Sequence, residues 1–212
     1  MKKIILFVFV LSCGAVAAAA AGFEYCPVSD GLCWKYGYFS KKENKKKKDI
    51  TCRISGTEKY RGKRCYLYEV PCKGMTYFIS AEENGVYIRG AKVSLPVFNF
   101  VQLDIALDPP VCGIRHPLIK GSKWKYSGVA HVEFLAFFSV DVKLGAEFTA
   151  TGPEAVNIKG KKINAQKIHI TVSRSWAEEK PLYADGWFGK GDGVIMAKTK
   201  NSLIKIKSAC KP

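Results

Sequence analysis

The chain is poor in the residues on which most enzyme chemistry relies. It has three histidines, His116, His131 and His169, and none sits in a His-Glu-x-x-His, Gly-x-Ser-x-Gly or glycine-rich phosphate-loop motif. Those absences remove the local signatures of zinc proteases, elbow-type esterases and phosphate cradles. They leave open a triad assembled from distant positions. Cys-x-x-Cys is missing too, and the two Cys-x6-Cys spacings match no ordinary structural zinc pattern. Carboxylates such as Asp104, Asp108, Asp141, Asp185 and Asp192 are scattered, so no pair can be assigned to glycoside hydrolysis. His131 and Glu133 share a strand face and could in principle form a dyad, but an exposed polar face is the favoured reading.

Long apolar runs are also lacking after the N-terminus. The best later candidate for a membrane span, Val129 to Val140, carries His131 and Glu133. Nor does any segment beyond the N-terminus keep an apolar period of 3.6 over ten residues, so almost no helix is expected there. Acidic residues are outnumbered: 34 Lys and Arg stand against 18 Asp and Glu, a net charge of +16.

What is present begins with a secretory pattern. Met1-Lys2-Lys3 precedes an apolar run from Ile4 to Val10 and an alanine-rich stretch to Ala21. Cleavage at an Ala-x-Ala triplet between Ala17 and Gly22 is expected. Val10-Leu11-Ser12-Cys13 can also be read as a loose lipobox with Cys13 acylated, and a transmembrane anchor is the third reading. An exported chain with 28 lysines and only 6 arginines is a poor nucleic-acid binder. Its block Lys45 to Lys48, beside Lys41 and Lys42, reads as a solvated loop that anionic envelope surfaces would attract.

The most specific internal signal is a repeat. Pro27, Gly31, Trp34, Lys35 and Tyr36 recur in step ninety residues later as Pro117, Gly121, Trp124, Lys125 and Tyr126. Downstream, Ser55-Gly56-Thr57-Glu58 and Gly62-Lys63-Arg64 correspond to Thr151-Gly152-Pro153-Glu154 and Gly160-Lys161-Lys162. Asn84-Gly85-Val86 corresponds to Asp192-Gly193-Val194. The chain therefore divides into a signal over 1–22 and two β repeats over 23–110 and 111–212. Trp34, Tyr36, Trp124 and Tyr126 are read as structural anchors, because a fold needs its anchor in both copies while a site usually needs it once.

Each repeat reads as a series of strands. Ile50, Cys52 and Ile54 alternate with polar neighbours, as do Val101, Leu103, Ile105 and Leu107. From Val132 to Phe148 the even positions are apolar and most odd ones polar. Asn84-Gly85, Arg61-Gly62-Lys63 and Lys159-Gly160-Lys161 mark turns.

Leaving Cys13 aside, seven cysteines allow up to three bridges in an oxidising compartment. If Arg61-Gly62-Lys63 turns a hairpin, residues whose numbers sum to 124 face each other, which pairs Cys52 with Cys72. Cys26 with Cys33, and Cys112 with Cys210, are further candidates.

The repeated Pro-[Leu/Val]-x-x-Gly-x-x-Trp-x-Tyr unit, followed by Gly-x-Glu steps and a Gly-Lys turn, resembles a group of exported bacterial envelope proteins. The resemblance covers nearly all of the chain after the signal. It implies curved antiparallel sheets loosely similar to the half-barrels of periplasmic lipoprotein carriers, and it implies no activity or functional residues.

The expected architecture is all-β: one curved antiparallel sheet, or half-barrels, built from two tandem repeats after a signal helix. A concave sheet face must be filled by side chains or by a ligand. The favoured expectation is a non-catalytic exported protein, periplasmic, outer-envelope or secreted, that binds a lipid or acyl chain along Phe134, Phe138, Val140 and Val142. The other is a structural or protein-interaction module of the cell surface without a small ligand. An exported hydrolase would instead need a histidine within hydrogen-bond reach of Ser, Asp or Cys in a cleft. No cofactor or metal is expected, and the sequence identifies no partner protein.

Overall fold

The computed structural model describes residues 24–41, 45–94, 102–134, 138–174 and 181–210. The signal expected over 1–22, and Cys13, lie outside the described residues. Twelve strands follow one another: β1 (Cys33–Ser40), β2 (Lys45–Tyr60), β3 (Lys63–Val70), β4 (Met75–Glu82), β5 (Gly85–Ser94), β6 (Gln102–Arg115), β7 (Lys123–Phe134), β8 (Phe138–Ile158), β9 (Lys161–Arg174), β10 (Leu182–Gly189), β11 (Gly193–Thr199) and β12 (Ser202–Cys210). Each pairs antiparallel with its sequence neighbour, and β1 also takes β12, so the sheet closes into an up-and-down barrel. No α-helix occurs among the described residues; a single 3-10 turn spans Pro71–Lys73.

The antiparallel all-β architecture is as expected, and the expected curved sheet or half-barrels are extended to full closure. An open sheet would leave β1 and β12 with unpaired backbone groups; pairing them removes both edges. At that seam Cys33 stands opposite Cys210 in the register, and Cys33 is disulfide-bonded.

The alternation read from the sequence becomes an inside and an outside. In β8, Leu144, Ala146, Phe148 and Ala150 are buried, while Lys143, Glu147 and Thr151 are exposed. Twelve strands enclose a wide lumen, which large rings fill: Trp34, Tyr36, Tyr68, Tyr77, Phe148 and Phe188 are all fully buried. Burying one such side chain contributes about 1.5–3 kcal/mol. The segment before β1 joins the same core through Cys26, Val28 and Leu32, and Gly191 N–H donates to the Glu24 carbonyl at 2.6 Å.

The β2–β3 and β8–β9 hairpins do more than build the wall. Each is irregular at a positive-φ glycine, Gly56 (φ 116°) or Gly152 (φ 99°), where the register shifts. Each also ends in a two-residue turn with both residues at positive φ, Arg61-Gly62 and Lys159-Gly160. Beyond the bulge the hairpin lies over the outer face of the strands that follow. Tyr60 and Cys65 of the first strap bury Phe78 and Ala106 in a cluster separate from the lumen. Tyr60 stacks on Phe78 at 3.9 Å, and its hydroxyl donates to Asp104 Oδ1 at 2.8 Å. Val156 and Ile158 of the second strap cover Trp187 and Ile195 in the same way.

The turn and bulge also correct the expected Cys52–Cys72 bridge. The turn holds two residues, so Tyr60 faces Lys63, and past the bulge Ile54 faces Tyr68. Facing pairs there sum to 122, not 124, and Cys72 falls in the 3-10 turn beyond the strand. Both are free thiols, Cys52 buried and Cys72 exposed. Under native conditions a maleimide is expected to label Cys72 at once and Cys52 only on unfolding. If both stay unlabelled until a reductant is added, this assignment is wrong.

Candidate binding mouth

Antiparallel neighbours send alternate connections to opposite ends of the barrel. The β1–β2, β3–β4, β5–β6, β7–β8, β9–β10 and β11–β12 connections share one end, and the four residues read as ligand-lining lie there. They continue the inward stripe of β7 and β8. From Phe148 through Ala146 and Leu144 the stripe is buried; Val142 and Phe134 are half-buried; Val140 is 59% and Phe138 67% exposed.

The register explains the gradient. Pairing of β8 with β9 runs from Ile158 to Leu144, whereas pairing with β7 runs on to Phe138 opposite Phe134. The β7–β8 hairpin therefore stands beyond the wall on its β9 side, among the described residues, and carries core-type side chains out with it. Leu103 opposite Phe134 flanks it on the β6 side and still packs on the core. The four residues thus form an apolar lip rather than the lining of an enclosed concave face.

Cations gather on one side of the same end. Lys41 Nζ donates to the Thr199 carbonyl, tying the end of β1 to the β11–β12 connection. Burial and the neighbouring charge of Lys198 lower the Lys41 pKa, Asp185 acting weakly against them. Burial followed by the charge of Lys48 lowers that of Lys73. Ammonium groups are thus held near one another on the β1–β2 and β11–β12 side, across the end from the β7–β8 lip.

The histidines find partners the sequence reading missed. His131 bonds Asp141 at 2.7 Å and His169 bonds Asp185 at 2.8 Å, each directly across a strand pair. His131 makes no dyad with Glu133, whose carboxylate lies 3.8 Å from Arg61. Both pairs sit on the outer wall, and neither ring has a second hydrogen-bond partner among the described residues. The first pair could have been found by folding the sequence about residue 136, the centre of the β7–β8 hairpin.

The repeat anchors are buried. Trp34 Nε1 donates to the Asp192 carbonyl and Trp124 Nε1 to the Cys112 carbonyl. Tyr36 donates to the Val194 carbonyl, while the buried Tyr126 hydroxyl has no hydrogen-bond partner among the described residues. Burial first, then repulsion from Asp108, pushes the Tyr126 pKa up to about 12. Burial likewise drives the Cys52 thiol to about 12 and the Cys112 thiol to about 11, which leaves both protonated and weakly nucleophilic at neutral pH.

No known protein family matches the chain, and no curated protein matches it. Solved structures similar to it over 86% of its length include three exported or lipoprotein chains. A presumed lipoprotein from Parabacteroides distasonis has a TM-score of 0.49 at 10% identity, with 96% of that chain covered. The hypothetical lipoprotein YmcC from Escherichia coli gives 0.43 at 13%, with 86% covered. A presumed exported protein with a YmcC-like fold from Bacteroides fragilis gives 0.42 at 12%, with 97% covered. Likenesses this distant identify neither a family nor a function.

Proposed function

We propose that this is an exported, non-catalytic envelope protein that takes up an apolar or amphiphilic ligand, a lipid or acyl chain, at the lip of its barrel. The observation that carries the reading is the exposure of Phe138 and Val140 on a stripe whose inner members are core. Large apolar side chains projecting together into water, outside any core, mark a surface that is covered in use. Lysines at the same end would meet an anionic headgroup. The division into units 23–110 and 111–212 belongs to the same reading. It is supported by Gly31 and Gly121, at φ 81° and 85°, whose N–H groups bond Ile54 and Ala150 at matching places in each half.

Native mass spectrometry of protein recovered from its own envelope fraction tests the proposal. A bound lipid is expected on the parent and is expected to be lost from Phe138→Asp/Val140→Asp, with the thermal midpoint unchanged because both side chains are already exposed. A parent that carries no lipid, or a variant that retains it, overturns the reading.

A further inference from the structure

We propose that the outer face of the β2–β3 strap binds a phosphate-bearing anion of headgroup or sugar-phosphate size between Lys59 and Arg64. The two residues stand directly opposite each other in the register. Opposed residues of an antiparallel pair share a face with Cβ atoms about 5 Å apart, and like charges placed so are destabilising. Neither is ion-paired among the described residues: Arg64 Nε donates to Thr57 Oγ1 at 3.2 Å, and Lys59 has no polar partner. The surrounding cations are engaged, Arg61 with Glu133 at 3.8 Å, Lys63 with Glu82 at 4.0 Å and Lys92 with Glu58 at 3.7 Å. An anion shared by Lys59 and Arg64 would remove a repulsion that the protein alone leaves uncompensated.

An open groove of about 440 Å³ lies at this place on the strap, lined by Thr57, Glu58, Lys59, Gly62 and Arg64. It leaves room for a phosphate group to reach both cations from solvent, with Glu58 held by Lys92. The chemistry suits phosphate. Guanidinium offers a planar fork of donors to two oxygens, ammonium adds a point charge, and the Thr57 hydroxyl keeps its own hydrogen to donate while it accepts from Arg64. The strap's other face is fixed to the barrel by Tyr60 and Cys65, so the cations project from a supported element.

The second strap lacks the arrangement. There Lys161 faces Ile158, Lys162 faces Asn157, and Lys159 Nζ is bonded to the Lys207 carbonyl at 2.5 Å. It supplies an internal control for nonspecific attraction to a basic protein. The strap site lies on the outer wall and does not depend on the reading of the mouth.

Titration with sn-glycerol 3-phosphate, followed by backbone amide NMR, is expected to give saturable shifts at residues 57–64. Lys59→Ala and Arg64→Ala should each weaken binding about tenfold or more, the loss of a charge-assisted hydrogen bond. Lys161→Glu/Lys162→Glu should leave the affinity unchanged. Sedimentation with phosphatidylcholine vesicles, with and without phosphatidylglycerol, separates the sources. Lys59-dependent binding to the anionic vesicles assigns a lipid headgroup; shifts with glycerol 3-phosphate alone assign a soluble phosphate compound. Lys59→Ala and Arg64→Ala without ligand are expected to be at least as thermostable as the parent, which excludes misfolding as the cause of lost binding. Absent or unsaturable shifts, shifts that survive Lys59→Ala, or equal weakening by Lys161→Glu/Lys162→Glu overturn the proposal.

Discussion

Trp34→Ala is expected to reduce the stability of the barrel by about 3–5 kcal/mol, the range for emptying a fully buried indole site, and to lower the thermal midpoint on the order of 10 °C. Trp34 is 1% exposed. It sits between Cys52 of β2 on one side and Ala209 of β12 on the other, so it packs beside the seam that closes the barrel. Its ring packs tilted on Tyr68 at 6.3 Å, and its Nε1–H satisfies the Asp192 carbonyl at 3.0 Å. Deletion leaves a void lined by Tyr68 and a part-buried carbonyl without its donor, and the void is not repaired by a side-chain rotation. Trp34→Phe keeps most of the volume and loses the bond, so it should cost about 1–2 kcal/mol. Calorimetry or denaturant titration reads both values. Equal and small losses for the two variants would mean that the site collapses freely, against the packing described.

Gly90→Ala should be nearly as damaging, about 3 kcal/mol, although it adds a single methyl group. A Cβ at Gly90 would stand 2.4 Å from the Ile105 carbonyl oxygen and 2.6 Å from the Tyr60 hydroxyl. The glycine leaves room for the strap to lie down, with Tyr60 reaching Asp104 Oδ1 across it. A methyl group there must lift Tyr60 off Phe78 and push β6 away from β5. Part of this is coupled. In Gly90→Ala/Tyr60→Ala the tyrosine clash is gone but the carbonyl clash persists, so the double variant should lose less than the two single variants together. Strict additivity in that cycle would show that Tyr60 does not cross Gly90.

Both variants probe what could be read in advance and what could not. The indole positions stand out in the sequence because Pro, Gly, Trp, Lys and Tyr recur in step, and buried aromatics are the expected filling of such an anchor. The role of Gly90 has no local signal, since its constraint comes from Tyr60, thirty residues earlier, and Ile105, fifteen later. The strap had one overlooked sign. Met75-Thr76-Tyr77-Phe78-Ile79 carries apolar side chains on both faces, and a barrel strand with that pattern must be covered outside as well as inside. Cys52 and Cys72 show the limit of counting: one residue fewer in the turn and one bulge at Gly56 moved the facing pairs by two.

Strand composition, turn positions and the inside-outside assignment of β8 belong to the sequence by itself, because alternation and turn chemistry act over a few residues. Closure of β1 on β12, the straps, the opposition of Lys59 to Arg64 and the emergence of Phe138 and Val140 at the lip were decided only by the tertiary structure. Each of these depends on which distant strands pair and on where a neighbouring strand stops. Such long-range pairing is set by packing the whole lumen at once, and no short window of residues encodes it.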